Sequence, residues 1–331
     1  MRLNHFALVV VITASVLVWL LGSASGSTAG SPGGSVLAWG CGHHDYDGQC
    51  RVPAAARKGV SAIAVSYYGL ALTKAGGVVG WGCLRGPNSE QCAIPAAARH
   101  GVAAIAAGYD APLALKKDGT IVTWPCGNAG QCRVPAAARH GVTATAVGLF
   151  HSLALLNGGR VVAWGCGHDR DFGQCRVPVA ARHGVIAIAA GWTYSLALLN
   201  DGSVVAWGCG RGHDVGQCDV PAAARHGVIA IAAGPWHSLA LRNDGSIVAW
   251  GCGGGRNFGQ CRVPAAASHH VTAVAAGFDH SLALLKNGSV VAWGCRGKSD
   301  LGQCRVPASA QHGVIAIAAG EMQSVALKSS P

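Results

Sequence analysis

Residues Gly227 to Pro264 read GVIAIAAGPWHSLALRNDGSIVAWGCGGGRNFGQCRVP, and this stretch decides the fold. It holds three short apolar runs and a fourth, shorter one that stops at Pro264. Gly234, Asn243-Asp244-Gly245 and Pro264 bound the runs, and residues of these types end strands and build turns. Asn and Gly accept positive φ, so Asn-Asp-Gly suits a tight hairpin. The runs are continuously apolar rather than alternating, which is the pattern of a sheet covered on both faces. The unit reads as a small antiparallel sheet packed between two neighbours.

The neighbours are copies of the same unit. Trp39, Trp81, Trp124, Trp164, Trp207, Trp250 and Trp293 recur at intervals of 40 to 43 residues, each followed by Gly or Pro. Ala-rich runs such as Ile188-Ala189-Ala190 suit strands crowded toward a common axis, where large side chains have no room. Residues Ser35 to Pro53 carry the Trp run and the Gln-Cys-x-Val-Pro segment without the two runs that precede them elsewhere. Residues Val314 to Leu327 carry those two runs and nothing after them. Each end supplies what the other lacks. The sequence therefore predicts an all-β, seven-bladed β-propeller, its ring closed by N- and C-terminal half-repeats that share one blade.

Composition agrees with strands rather than helices. Half the residues are apolar, 12% are charged, and no window carries an apolar stripe at helical spacing. The formal charge of +11 favours acidic partners, and with one or two Arg in each repeat the charge is expected to be spread round the ring. Arg2 and His5 precede a mostly apolar run from Phe6 to Leu21, followed by small residues from Gly22 to Gly26. That run is short for a membrane span, and the small residues fit a cleavage site. The expected organisation is a signal peptide over 1–25, a Gly/Ser-rich lead-in over 26–34, the propeller over 35–328 and a tail over 329–331. The protein is then secreted, or held at the cell surface if the N-terminal segment stays as an uncleaved anchor.

All 14 Cys fall into repeat pairs: Cys41-Cys50, Cys83-Cys92, Cys126-Cys132, Cys166-Cys175, Cys209-Cys218, Cys252-Cys261 and Cys295-Cys304. Two Cys flanking one loop behind a signal peptide read as a disulfide. Each such bond is worth roughly 2.5–3 kcal/mol by loop-closure entropy. One Cys pair per repeat is poor zinc spacing, since a structural zinc needs four ligands close together. No metal or cofactor is expected.

Function should sit where the scaffold varies. Three variable positions follow each Ala-rich run, and they collect most aromatics that are neither scaffold Trp nor signal: Tyr67, Tyr68, Tyr109, Phe150, Trp192, Tyr194, Trp236 and Phe278. Equivalent positions in a propeller share one face, so these predict an aromatic ring round the channel mouth, a surface of the kind that dominates protein–protein hot spots. Asp110, Asp279 and Glu321 fall on the same face and can pair with a basic group. The competing reading is that the ring only plugs the channel. The segments between paired cysteines also vary, and they read as solvated loops. Asn287-Gly288-Ser289 has the glycan-acceptor pattern, but its tight-turn setting argues against modification.

Val134-Pro135-Ala136-Ala137-Ala138, Ile186-Ala187-Ile188-Ala189-Ala190-Gly191 and Val204-Val205-Ala206-Trp207-Gly208 resemble the repeats of the regulator-of-chromosome-condensation superfamily. Within it, the repeat pattern is most similar to that of the secreted type II β-lactamase inhibitors, although their repeats lack these Cys pairs. Plant receptor ectodomains of the superfamily carry comparable pairs. The resemblance covers nearly all of residues 35–328 and implies a seven-bladed propeller that binds partners through the loops of one face. For the inhibitors it implies aromatic-rich loops that grip the partner.

Enzyme chemistry has little support. No paired carboxylates, Gly-x-Ser-x-Gly, P-loop or His-Glu-x-x-His motif stands out. The expected function is a secreted protein-binding propeller, an inhibitor of or adaptor for an extracellular protein, acting as a monomer. The alternatives are a carbohydrate- or cell-wall-binding lectin-like module and a propeller hydrolase. Nucleic acid is not expected as a partner, nor a membrane beyond the signal segment.

Overall fold

Seven three-stranded antiparallel sheets make up the computed structural model, which describes residues 34–42, 45, 47–83, 89–109, 111–125, 130–167, 170–210, 212–297 and 300–329. The expected signal peptide, the lead-in up to residue 33, Asp110 and Cys126 lie outside the described residues. In the blade built from the stretch quoted above, the inner strand Val228–Ala233 pairs with the middle strand Ser238–Arg242. The middle strand pairs in turn with the outer strand Ile247–Trp250. Gly245, at φ +79°, makes the hairpin between middle and outer strands, a backbone region that glycine enters without Cβ strain.

The register of every inner strand shifts at its second residue, as between Val228 and Ala230. Such a bulge adds one unpaired residue and sharpens the local twist. It leaves Ile229 exposed and turns the next four residues into the core. Inner strands pack side by side around the axis, with Ala189, Ala232 and Ala275 fully buried between them. The middle strands supply bulk: Leu239 and Leu241 are fully buried, at about 1.5–3 kcal/mol for each side chain.

Ring closure is carried by the chain ends. The middle strand Ser324–Lys328 pairs with the inner strand Val314–Ala319 on one side and with Ser35–Trp39 on the other. Ser35 lies opposite Lys328, and Trp39 opposite Ser324. Val314–Ala319 in turn packs against both Val271–Ala276 and Val60–Val65.

One hydrogen bond repeats at every joint of the ring. The indole N–H of Trp250 donates to the Gln217 carbonyl at 3.0 Å, and that of Trp293 to the Gln260 carbonyl at 2.8 Å. Trp81, Trp124, Trp164 and Trp207 bond the same way to Gln49, Gln91, Gln131 and Gln174. Trp39 closes the circle on the Gln303 carbonyl at 3.0 Å, across 264 residues of chain. A buried indole needs a partner for its N–H. Trp-Gly and Gly-Gln-Cys repeat together because they are the two halves of this bond.

The fourth run forms no strand. Arg262 N–H turns back to the Gly259 carbonyl, and Pro264 leads into a single 3-10 turn, Ala265–Ala267. Proline has no N–H to give to a ladder, so the segment runs down the outer edge of the blade, with Val263 packed on the core. Six disulfides join the predicted pairs Cys41–Cys50, Cys83–Cys92, Cys166–Cys175, Cys209–Cys218, Cys252–Cys261 and Cys295–Cys304. Cys132 is disulfide-bonded as well. This many disulfides fits an oxidising compartment outside the cytosol.

Candidate functional site

The variable positions lie in tight turns at the end of each inner strand. Among the described residues six of these turns are closed by one backbone bond, for example Gly234 N–H to the His237 carbonyl at 2.9 Å and Gly277 N–H to the His280 carbonyl at 2.9 Å. The third side chain of the turn folds back over the glycine: a Cβ on Gly277 would sit 2.3 Å from His280 Cε1, and one on Gly191 2.2 Å from Tyr194 Cε1. Glycine is required there because the ring occupies the space.

This third position forms a buried row rather than a surface. Tyr68, His151, Tyr194, His237 and His280 are fully buried. The polar atoms of the last four reach the serine at the start of the middle strand of the next blade. His151 Nε2 meets Ser195 Oγ at 2.9 Å, His237 Nε2 meets Ser281 Oγ at 2.9 Å, and His280 Nε2 meets Ser324 Oγ at 3.0 Å. The Tyr194 hydroxyl donates to the His237 carbonyl at 2.7 Å and lies 2.9 Å from Ser238 Oγ. Burial pushes all three imidazoles down to about 3, so they are neutral at physiological pH. The latch stops at the other three joints. Pro112 and Gly69 stand where the serine should be, and Ala111 is too short to reach Ser152. The Ser152 hydroxyl and both amide atoms of Gln323 are buried without hydrogen-bond partners.

The first positions line the channel mouth. Tyr109, Leu149, Trp192, Pro235, Phe278 and Glu321 surround a cavity of about 40 Å³. That is room for two or three waters, so the rings nearly fill the mouth. Tyr67, Tyr109, Phe150, Trp192 and Phe278 remain half-exposed around it. Tyr67 and Tyr109 meet edge to face at 4.6 Å, and Trp192 packs edge-on against both Trp236 at 5.1 Å and Phe278 at 5.0 Å. Trp236 itself is buried.

Among the described residues, Glu321 is the one acid in this lining. Its carboxyl is pushed up to about 8, chiefly by burial and further by Asp279, against the lowering effect of a hydrogen bond from Tyr67. Burial and Glu321 together raise the Tyr67 hydroxyl. Asp279 is buried beside this group.

The loops between paired cysteines stand on the same face, which the sequence reading missed. First and third strands of a three-stranded meander run the same way, so both end at one side. Phe172 stacks on Phe150 at 6.2 Å and meets His213 at 4.5 Å. The Arg170 guanidinium covers the Phe150 ring at 4.7 Å, and Arg256 covers Trp236 at 4.4 Å. Buried glutamines hold these loops in shape: Gln174 accepts from Phe172 N–H at 2.6 Å and donates to the Arg170 carbonyl at 2.7 Å. Gln217 brackets Val215 and His213 in the same way.

Four consecutive stretches, residues 142–174, 185–217, 228–260 and 271–303, match the regulator of chromosome condensation (RCC1) repeat. Four of the seven blades are therefore regulator of chromosome condensation repeats. These four repeats are the ones whose third-position side chain makes the latch. Among solved structures, the chain is similar to Prp20p of Saccharomyces cerevisiae, with 21% identity over 92% of this chain and 93% of that one and a TM-score of 0.66. It is also similar to human WBSCR16, at 18% identity over 90% and 99% of the two chains and a TM-score of 0.61. A third likeness is to the ectodomain of the Physcomitrella patens receptor kinase CR4, at 22% identity, 79% and 69% coverage and a TM-score of 0.58. At these identities the likeness carries the fold alone. None of these likenesses is to a β-lactamase inhibitor, so that finer expectation is not shown. Comparison with curated protein sequences gives no match.

Proposed function

We propose that this is a secreted propeller that binds an extracellular protein on its loop face, as an inhibitor of or adaptor for that protein. The observation that carries the reading is the half-exposed set Tyr67, Tyr109, Phe150, Trp192 and Phe278, contributed by five blades around one mouth. Large, stiff aromatics already packed on one another lose little freedom on binding, which is why such residues anchor protein interfaces. Tyr68, Tyr194 and Trp236 support this surface from below. Phe172, Arg170 and Arg256 extend it outward. Glu321, with Asp279 and Tyr67 around it, offers the partner a place for one Lys or Arg side chain, since a small mouth admits an ammonium tip but no sugar ring. The binding of Gsp1p and histones named for Prp20p favours a protein partner for this fold in general.

The test uses the full secreted chain, immobilised and exposed to the extracellular fraction of its source. A duplicate of that fraction is digested so that glycans survive and proteins do not. Retention of a component from the intact fraction only, weakened at least about tenfold by Trp192→Ala with Phe278→Ala, supports the reading. Equal retention from the digested fraction contradicts it and favours the lectin-like alternative.

A further inference from the structure

The +11 charge is spread round the ring, but the strand directions also sort it to one end. The end opposite the loop face is built from the corners that lead into the inner strands and from the hairpins between middle and outer strands. Backbone bonds tie the two together, as from Lys74 N–H to the Gly59 carbonyl and from Lys117 N–H to the Gly101 carbonyl, both 2.8 to 2.9 Å. Four corners carry Arg99-His100, Arg139-His140, Arg182-His183 and Arg225-His226, and another carries Arg57-Lys58. The hairpins and the strand ends that flank them add Lys74, Lys116, Lys117, Arg160, Arg242, Lys286 and Lys328. Among the described residues, the only acids at this end are Asp118, Asp201 and Asp244. Thirteen Lys and Arg therefore face three Asp, which leaves +10 of the total +11 here. The rest of the sequence is close to balanced, with twelve basic against eleven acidic residues.

The three Asp are largely engaged by their own turns: each accepts from the N–H and hydroxyl of the Ser or Thr two residues on. Arg242 to Asp244, at 3.2 Å, is the one ion pair given for this end among the described residues. By contrast Arg51, Arg176 and Arg305, at the outer edge, pair with Asp45, Asp171 and Asp300 of the cysteine loops.

We infer that this end of the propeller is a docking surface for an anionic polysaccharide bearing carboxylate, sulfate or phosphate groups. The inference is independent of the loop-face reading. The basic residues are mostly exposed and arranged round a circle rather than converging on a point, so a single small anion meets one or two of them in high dielectric and gains little. A polymer touches many at once and releases the counterions that both partners hold, so its binding free energy grows with the number of contacts. A membrane surface fits less well. Interfacial faces combine basic residues with Trp, Tyr or large apolar anchors, and this end carries no aromatic residue in its corners or hairpins. The disulfides place the encounter outside the cytosol, where polyanionic polysaccharides are available.

The test titrates the full chain with heparin oligosaccharide, with neutral dextran of equal length and with phosphatidylglycerol vesicles, at rising NaCl. Heparin is expected to bind with an affinity that falls steeply with salt, and dextran not to bind. Replacing Lys58, Arg139, Arg182 and Arg225 together by Glu is expected to weaken heparin binding about tenfold or more and to flatten its salt dependence. The same four changed to Gln give a smaller loss in the same direction, which covers the case in which the Glu variant folds poorly. The control replaces Arg51, Arg176, Arg262 and Arg305 by Glu, an equal change in net charge at the outer edge. It should stay within about twofold of the parent, because its site does not lie under the polymer. Equal losses in both sets overturn the inference, since net charge alone then explains binding. Vesicle binding without heparin binding, or no binding to either, overturns it as well.

Discussion

His151, His237 and His280 hold adjacent blades together as neutral imidazoles, and that makes the joints sensitive to acid. Burial lowers each to about 3, whereas an unfolded histidine titrates near 6.5. The unfolded chain therefore binds more protons in this window, so the stability contributed by neutral histidine is complete above about pH 6.5 and is lost as pH falls toward 3. At pH 4.5 the loss is roughly 2.5 kcal/mol for each histidine, and the three together rival the whole stability of a typical domain. Urea midpoints measured from pH 7.5 to 4.5 should fall steeply in the parent and less so in a His237→Gln variant; a flat profile would contradict neutral burial. Glu321 predicts the reverse trend for partner binding. With its carboxyl at about 8, a Lys or Arg side chain entering the mouth selects the ionised form and releases a proton at pH 7. Calorimetry in buffers of different ionisation enthalpy should detect that proton in the parent and miss it in Glu321→Gln. Neither group was legible in the sequence as a titration site. Histidine recurs in the third position of only three turns, and nothing in a linear pattern says that this position points into the next blade rather than into solvent.

Between elements, the indole bond from outer strand to cysteine loop governs every joint, and the latch from turn to middle strand adds to it at four of the seven. The first was half-legible. Trp and Gly-Gln-Cys recur with fixed spacing, but the sequence cannot say that the glutamine contributes its backbone carbonyl while its side chain shapes the loop. Trp39→Phe keeps the packing and removes one of two donors to the Gln303 carbonyl where the ring closes, the Ser324 hydroxyl at 2.9 Å being the other. The expected cost is about 0.5–1.5 kcal/mol in urea denaturation. The second bond is missing between the blades of Ala111 and Ser152. Ala111→His places an imidazole where His151, His237 and His280 sit in their own blades, within reach of the buried Ser152 hydroxyl. This variant is expected to gain about 1 kcal/mol at pH 7.5 and to lose the gain at pH 5. A loss at both pH values would mean that the turn cannot hold the ring.

For the whole molecule, periodicity made the ring legible, because seven Trp at near-constant spacing and two complementary chain ends admit few other closures. What lay beyond reach was the sorting of residues by strand end. Along the chain, aromatics and arginines alternate within every repeat. In the folded ring, up-and-down strands send turns and cysteine loops to one face, and corners and hairpins to the other. The result is an aromatic face of balanced charge and an opposite face that carries nearly all of the net charge. The claim that the aromatic face is the one that grips a protein partner is tested most directly by hydrogen exchange on the complex with the captured protein. The account predicts slowed exchange in the turns around Tyr67, Tyr109, Phe150, Trp192 and Phe278 and in the loop before Cys175, with the corners at Arg139, Arg182 and Arg225 unchanged. Protection confined to those corners, with the aromatic turns exchanging as in the free protein, would contradict it.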